Sequence, residues 1–230
     1  MKKLVILLLA VTAIASCTVV LGKKTIRGNG VMVSQSYEVA GFNSITVNGA
    51  VDVIYSQGPQ SVVLTADENI IGYYEIESVG GVLRIDYADS VNLCSEKDIV
   101  IRVSSEDLSA VKINGAGDCE IVGGLSTGGD FNFILNGSGD LEADAISCNS
   151  LTTRISGSGD VDVDAATAKT VSATISGSGD IEIGCKKVGD LIVKINGSGD
   201  VKLYGEAGTL TSKINGSGGL DTKGLILKGI

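Results

Sequence analysis

Apolar and polar residues alternate with period two through the C-terminal half of the chain, and the alternation restarts at a fixed interval. A six-residue phrase marks each restart: Ile113 opens INGAGD, Leu135 LNGSGD, Ile155 and Ile175 ISGSGD, Ile195 INGSGD and Ile214 INGSGG. Successive openings are separated by 22, 20, 20, 20 and 19 residues. A fixed period of this length is the signature of a stacked-repeat architecture.

Four residues before the opening stands an apolar residue in five copies, Phe131, Leu151, Val171, Leu191 and Leu210, while the residue directly before it is usually polar, as at Lys112, Arg154, Thr174, Lys194 and Lys213. That alternation predicts a strand running into the phrase. Beyond the phrase it resumes, with apolar Leu141, Val161, Ile181, Val201 and Leu220, then polar Glu142, Asp162, Glu182, Lys202 and Asp221. A second strand therefore leaves the Gly-rich turn. Small residues at Gly123, Ala145, Ala165, Cys185, Gly205 and Gly224 mark another corner, so one repeat is one coil.

Identical turns in consecutive repeats stack when equivalent strands lie parallel. The expected fold is all-β, a right-handed parallel β-helix with coils of about 20 residues over 109–230 and a less regular N-terminal β portion over 31–108. With about five inward side chains per coil at roughly 1.5 to 3 kcal/mol each, neighbouring coils stabilise one another although one alone would not fold.

Upstream, strands are predicted at 31–39, 44–55, 61–66, 73–77, 82–87 and 98–103, separated by Gly, Asn and Ser signals such as Gly80-Gly81. The phrase VNGAVD from Val47 reads as a degenerate early copy of the repeat, and residues 67–72 have room for one helical turn at most. Residues 31–230 are expected to form one continuous domain.

The first residues carry a different pattern. Lys2 and Lys3 precede an apolar run from Leu4 to Ala15, and Ile14-Ala15-Ser16-Cys17 resembles a bacterial lipobox. The run is too short for a permanent membrane span and suits a signal peptide over 1–16. The resemblance implies lipid attachment at Cys17, with 17–30 as anchor and tether. Removal of residues 1–16 takes away two lysines and no acids, so the net charge moves from −9 to 16 − 27 = −11. Such acidity argues against a nucleic-acid partner.

The segments YEVAGFNSITVNGAVDVIYSQG, LTADENIIGYYEIESVGGVLRIDY and DIVIRVSSEDLSAVKINGAGD, with the repeated GSGD, resemble the auto-transporter adhesin head GIN domain family of bacterial cell-envelope proteins. The resemblance covers essentially Val31 to the C-terminus. It implies a β-helical envelope domain, lipoprotein attachment at the outer membrane, periplasmic or surface-facing, and an adhesive role. It carries over no catalytic residues.

With no His and no Trp, the chain lacks the commonest general base and the strongest aromatic platform for sugars. The expected function is a non-enzymatic adhesin or binding scaffold whose partner is a protein or glycan, with a homo-oligomer possible. Two alternatives stand beside it: a calcium-stabilised envelope rod, and a polysaccharide-active β-helix enzyme.

The sharpest candidate site is the column Asp118, Asp140, Asp160, Asp180 and Asp200. Stacked at about 4.8 Å, neighbouring charges repel by roughly 1 kcal/mol in water, so something must compensate. Either each carboxylate accepts from backbone N–H groups of its own turn, or Ca²⁺ sits between coils with help from Asp144, Asp162 and Asp164. No other cofactor is expected. Asn114, Asn136, Ser156, Ser176, Asn196 and Asn215 form a second, structural turn ladder. Cys94, Cys119, Cys148 and Cys185 fall in different registers and read as small buried residues rather than bridges.

Overall fold

The computed structural model describes residues 23–229. The expected signal peptide and Cys17 lie outside the described residues.

Every copy of the repeat forms a coil of a parallel solenoid. The run into the turn builds a first wall from Ala110–Gly115, Phe131–Gly137 and Ser150–Ile155, continued by residues 170–175, 191–197 and 210–216 of longer strands. Its pairing is parallel and in phase, with Ile113 beside Leu135, Leu135 beside Ile155, and Ile155 beside Ile175. The run out of the turn builds a second wall, in which Cys119, Leu141, Val161, Ile181, Val201 and Leu220 are successive partners. A shorter third wall, begun by Leu125–Ser126 and Ile146–Ser147, closes each coil.

Burial follows the alternation. Phe131, Phe133, Leu135, Leu141, Leu151, Ile175 and Ile195 are fully enclosed, and the Phe131 and Phe133 rings meet edge to face at 4.7 Å. Thr153 is the polar member of this inner column, its hydroxyl 3.4 Å from the Ser172 carbonyl.

The N-terminal portion departs from simple winding. VNGAVD does form a coil, from Ser44–Gly49 and Asp52–Gln57, but that coil lies inside the stack. On one side it pairs with 110–115 and 119–122, and on the other with Val82–Tyr87 and Val100–Ser105. Buried Ile45, Val47, Val53 and Tyr55 continue the inner columns, which is why the intervening chain leaves and returns. Antiparallel pairs then cover this end: Met32–Ser36 with Ser61–Asp67, Ser61–Asp67 with Val100–Ser105, and Tyr74–Val79 with Val82–Tyr87. A 3-10 turn at Ile71–Tyr73 interrupts the strands.

The single strand expected over 44–55 is thus two, broken at the turn. Part of the segment read as a tether is a strand, Lys24–Arg27, paired in parallel with Val91–Cys94. At the opposite end the last coil has a neighbour on one side only, leaving Ile214, Ile226 and Leu227 exposed.

Candidate functional site

The turn of each coil is shaped by two columns of glycine. A Cβ on Gly137 would lie 1.7 Å from the Gly115 carbonyl oxygen, and one on Gly139 would lie 2.0 Å from that of Gly117. Backbone packs on backbone, and the serine between the glycines exploits it. Ser138, Ser158, Ser178 and Ser198 donate their N–H groups to Gly115, Gly137, Gly157 and Gly177 of the preceding coil.

The aspartates close the same turn. Oδ1 of Asp118 accepts from the backbone N–H of Asp140 at 2.8 Å, Asp140 from Asp160 at 2.8 Å, Asp160 from Asp180 at 2.7 Å, and Asp180 from Asp200 at 2.7 Å. The donor therefore belongs to the next coil, not to the aspartate's own turn as the sequence suggests. Each acceptance of a backbone N–H by a carboxylate is a charge-assisted bond that opposes the repulsion along the column. The ladder extends beyond the expected five: Asp52 accepts from Asp118 at 3.0 Å, and Asp200 accepts from Gly219, where the sixth position is glycine. The sixth residue of VNGAVD was the signal that could have identified Asp52.

The amide ladder is continuous only where asparagines adjoin. Asn136 donates its Nδ2 to Asn114 Oδ1 at 2.9 Å, Asn114 to Asn48 at 2.8 Å, and Asn48 to Asp86 at 3.0 Å. Asn215 likewise donates to Asn196 at 2.9 Å. Between these runs stand Ser156 and Ser176, both exposed and too short to span coils.

Outward from the second wall the strand alternation stacks like charges. Glu120, Glu142, Asp162 and Glu182 are successive register partners; Lys202 follows with a 2.6 Å ion pair to Glu182, and Asp221 is the next partner in the row. Partial burial, then Glu182, Asp164 and Glu142, push the Asp162 carboxyl above its usual range. Asp52 is raised for the same reasons, burial first and then the charges of Asp118 and Asp98, against the bond from the Asp118 N–H. Asp144 turns aside, accepting from the Gly123 N–H at 2.7 Å. Among the described residues no group of three or more Cys, Asp and Glu side chains is disposed to hold a metal ion.

A groove of about 700 Å³ runs where the cap meets the coils, lined by Tyr74, Tyr87, Leu93, Lys97, Asp98 and Asp118 among others. Cys94 touches it and is half-buried, as is Cys148, whereas Cys119 and Cys185 are core residues; no disulfide joins any two of the four. Burial pushes the Cys119 thiol up to about 12 and that of Cys185 up to about 11, so both stay protonated.

A family model described as "Putative auto-transporter adhesin, head GIN domain" matches residues 41–225, and the chain belongs to that family. Solved structures share the fold. A protein described as a putative adhesin from Bacteroides fragilis NCTC 9343 superposes with a TM-score of 0.70 at 19% identity, over 86% of this chain and 99% of its own. A putative adhesin from Parabacteroides distasonis ATCC 8503 gives 0.61 at 22% identity, over 86% and 100%. A putative lipid binding protein from the same organism gives 0.56 at 22%, over 86% and 99%. No curated protein matches the sequence.

Proposed function

We propose that this member of the head GIN domain family is a non-enzymatic binding scaffold of the bacterial cell envelope, an adhesin held to the outer membrane by a lipid on Cys17. One observation carries the reading: outward side chains repeat in phase over successive coils, so each wall presents a flat, regular face rather than a pocket built around a reacting atom. Extended solenoid faces are a common means of engaging a partner along its length. The acidic row supports binding over turnover, since Glu120, Glu142 and Asp162 have no cation among them.

The test uses the full chain expressed in a bacterium that processes lipoproteins. Radiolabelled palmitate should enter the protein and be lost in Cys17→Ser. Protease added to intact cells should remove the folded domain, and cells carrying it should adhere to a glycan-coated surface better than cells without it. Protection from protease together with unchanged adherence would overturn the adhesin reading.

A further inference from the structure

We infer that the outer face of the first wall binds an acidic polysaccharide lying along the stack, an inference that rests on the binding-scaffold reading above. Lys112, Ile134, Arg154, Thr174, Lys194 and Lys213 are successive register partners and form one outward column. Three of its cations, Lys112, Arg154 and Lys194, fall on alternate coils, so they stand about 9.6 Å apart, two strand spacings. Lys213 prolongs the row by one coil.

The ion pairs of the described residues are Lys202 with Glu182, Lys223 with Asp221 and Lys228 with Glu206, so none of these four cations is neutralised by a neighbour. Arg154, Lys194 and Lys213 are exposed and Lys112 is half-exposed. Over these six coils the columns on either side contain only Asn, Ser, Thr, Ala and Ile; the carboxylates of this wall stand at its margins and are engaged there, Asp190 by the Thr209 hydroxyl and Asp86 by the Asn48 amide. In a chain of net charge −9 that segregation matters, because the aspartate ladder and the Glu120, Glu142 and Asp162 row lie round the corner, on the turn and the second wall.

The occupant follows from shape and charge together. A single file of cations between two files of hydroxyls and amides matches a linear anion, not a globular partner, which would need an apolar centre. Alternate-coil spacing suits a polymer charged on every second unit, as in a polysaccharide of alternating acidic and neutral sugars. The neutral sugar then faces Thr174 or Ile134 while its hydroxyls meet Asn and Ser side chains. A membrane surface would call for projecting apolar side chains, and this face offers only half-buried Ile134 and Ile192.

The experiment measures binding of full-length protein, in an uncharged detergent, to hyaluronate, whose carboxylates lie on alternate sugars. Dextran serves as the neutral polymer and phosphatidylglycerol vesicles as the anionic membrane. Salt-sensitive binding to hyaluronate is expected, with little to dextran. The triple variant K112Q/R154Q/K194Q should lose about tenfold or more in affinity, since each exposed charge contact contributes a few-fold. K169Q/K186Q/K187Q, which removes the same charge elsewhere, should stay within about threefold by the same arithmetic. Thermal melting of both triples confirms folding. The inference is overturned if hyaluronate does not bind, if dextran binds equally, if both triples lose affinity alike, or if vesicles bind and hyaluronate does not compete. Those outcomes leave intact-cell adhesion and protease exposure, the tests of the scaffold reading, unaffected.

Discussion

Asp180 donates its backbone N–H to Oδ1 of Asp160 at 2.7 Å, so a carboxylate on one coil fixes the main chain of the next. The bond repeats along the stack while the charges it brings together repel. The two contributions can be separated by chemistry, because an asparagine keeps the accepting oxygen and discards the charge.

Asp160→Ala should destabilise the protein by about 1 to 3 kcal/mol, as loss of a charged acceptor does, whereas Asp160→Asn should lie within about 0.5 kcal/mol of the parent. Urea unfolding of the two variants checks this. Equal losses would mean that the charge, rather than the acceptor, holds the turn.

Gly139→Ala places a methyl group where the Gly117 carbonyl stands, 2.0 Å away, and backbone cannot yield as a side chain does. A loss of roughly 3 kcal/mol or more is expected, or failure to fold. Gly128→Ala, where nothing lies within 4 Å, should change stability by about 0.5 kcal/mol or less. Comparing the two by thermal denaturation isolates close approach from the general effect of replacing glycine.

The raised carboxyls give a pH dependence of definite sign. Asp52 and Asp162 bind protons more readily folded than unfolded, so between the unfolded value and the raised folded value the native state holds more protons, and stability falls as pH rises. Their destabilising effect is absent below the unfolded value and complete above the folded one. Asp221, lowered chiefly by the Lys223 backbone N–H, contributes in the opposite direction. Asp162→Asn should therefore raise Tm at pH 7 and leave it nearly unchanged at pH 3.5. An equal shift at both values would contradict the electrostatic origin.

Removal of divalent ions should not move the melting midpoint, because the Asp ladder already uses Oδ1 for backbone donors. Differential scanning calorimetry in EDTA and in millimolar CaCl₂ gives the comparison. A calcium-dependent rise that disappears in Asp160→Asn would return a bound ion to the ladder.

The regular coils are legible from the sequence because each contact there joins residues one repeat apart. Ile113, Leu135 and Ile155 announce their own stacking, as do the glycines that permit it. The cap is much less legible. Asn48 and Asp52 meet partners 66 residues away, on strands that pair in parallel only after the intervening chain has folded back, and local periodicity has no memory over that distance. Lys24–Arg27 is short, mixed in polarity and held by parallel pairing to Val91–Cys94, so nothing in its own composition marks it as a strand. The donor to each Asp was hidden for a subtler reason. A turn sequence specifies which groups need partners, but only the offset between coils decides whether the partner lies within the turn or above it.

Because the coil formed by residues 44–57 is sandwiched between 82–105 and 110–122, winding cannot proceed steadily from the first residue to the last. That segment's pairings are complete only when residues 110–122 are present, whereas each later coil stacks on one that precedes it in the sequence. Removing coils from the C-terminal end therefore leaves that segment's pairings whole, whereas a cut before residue 110 strips one side of it.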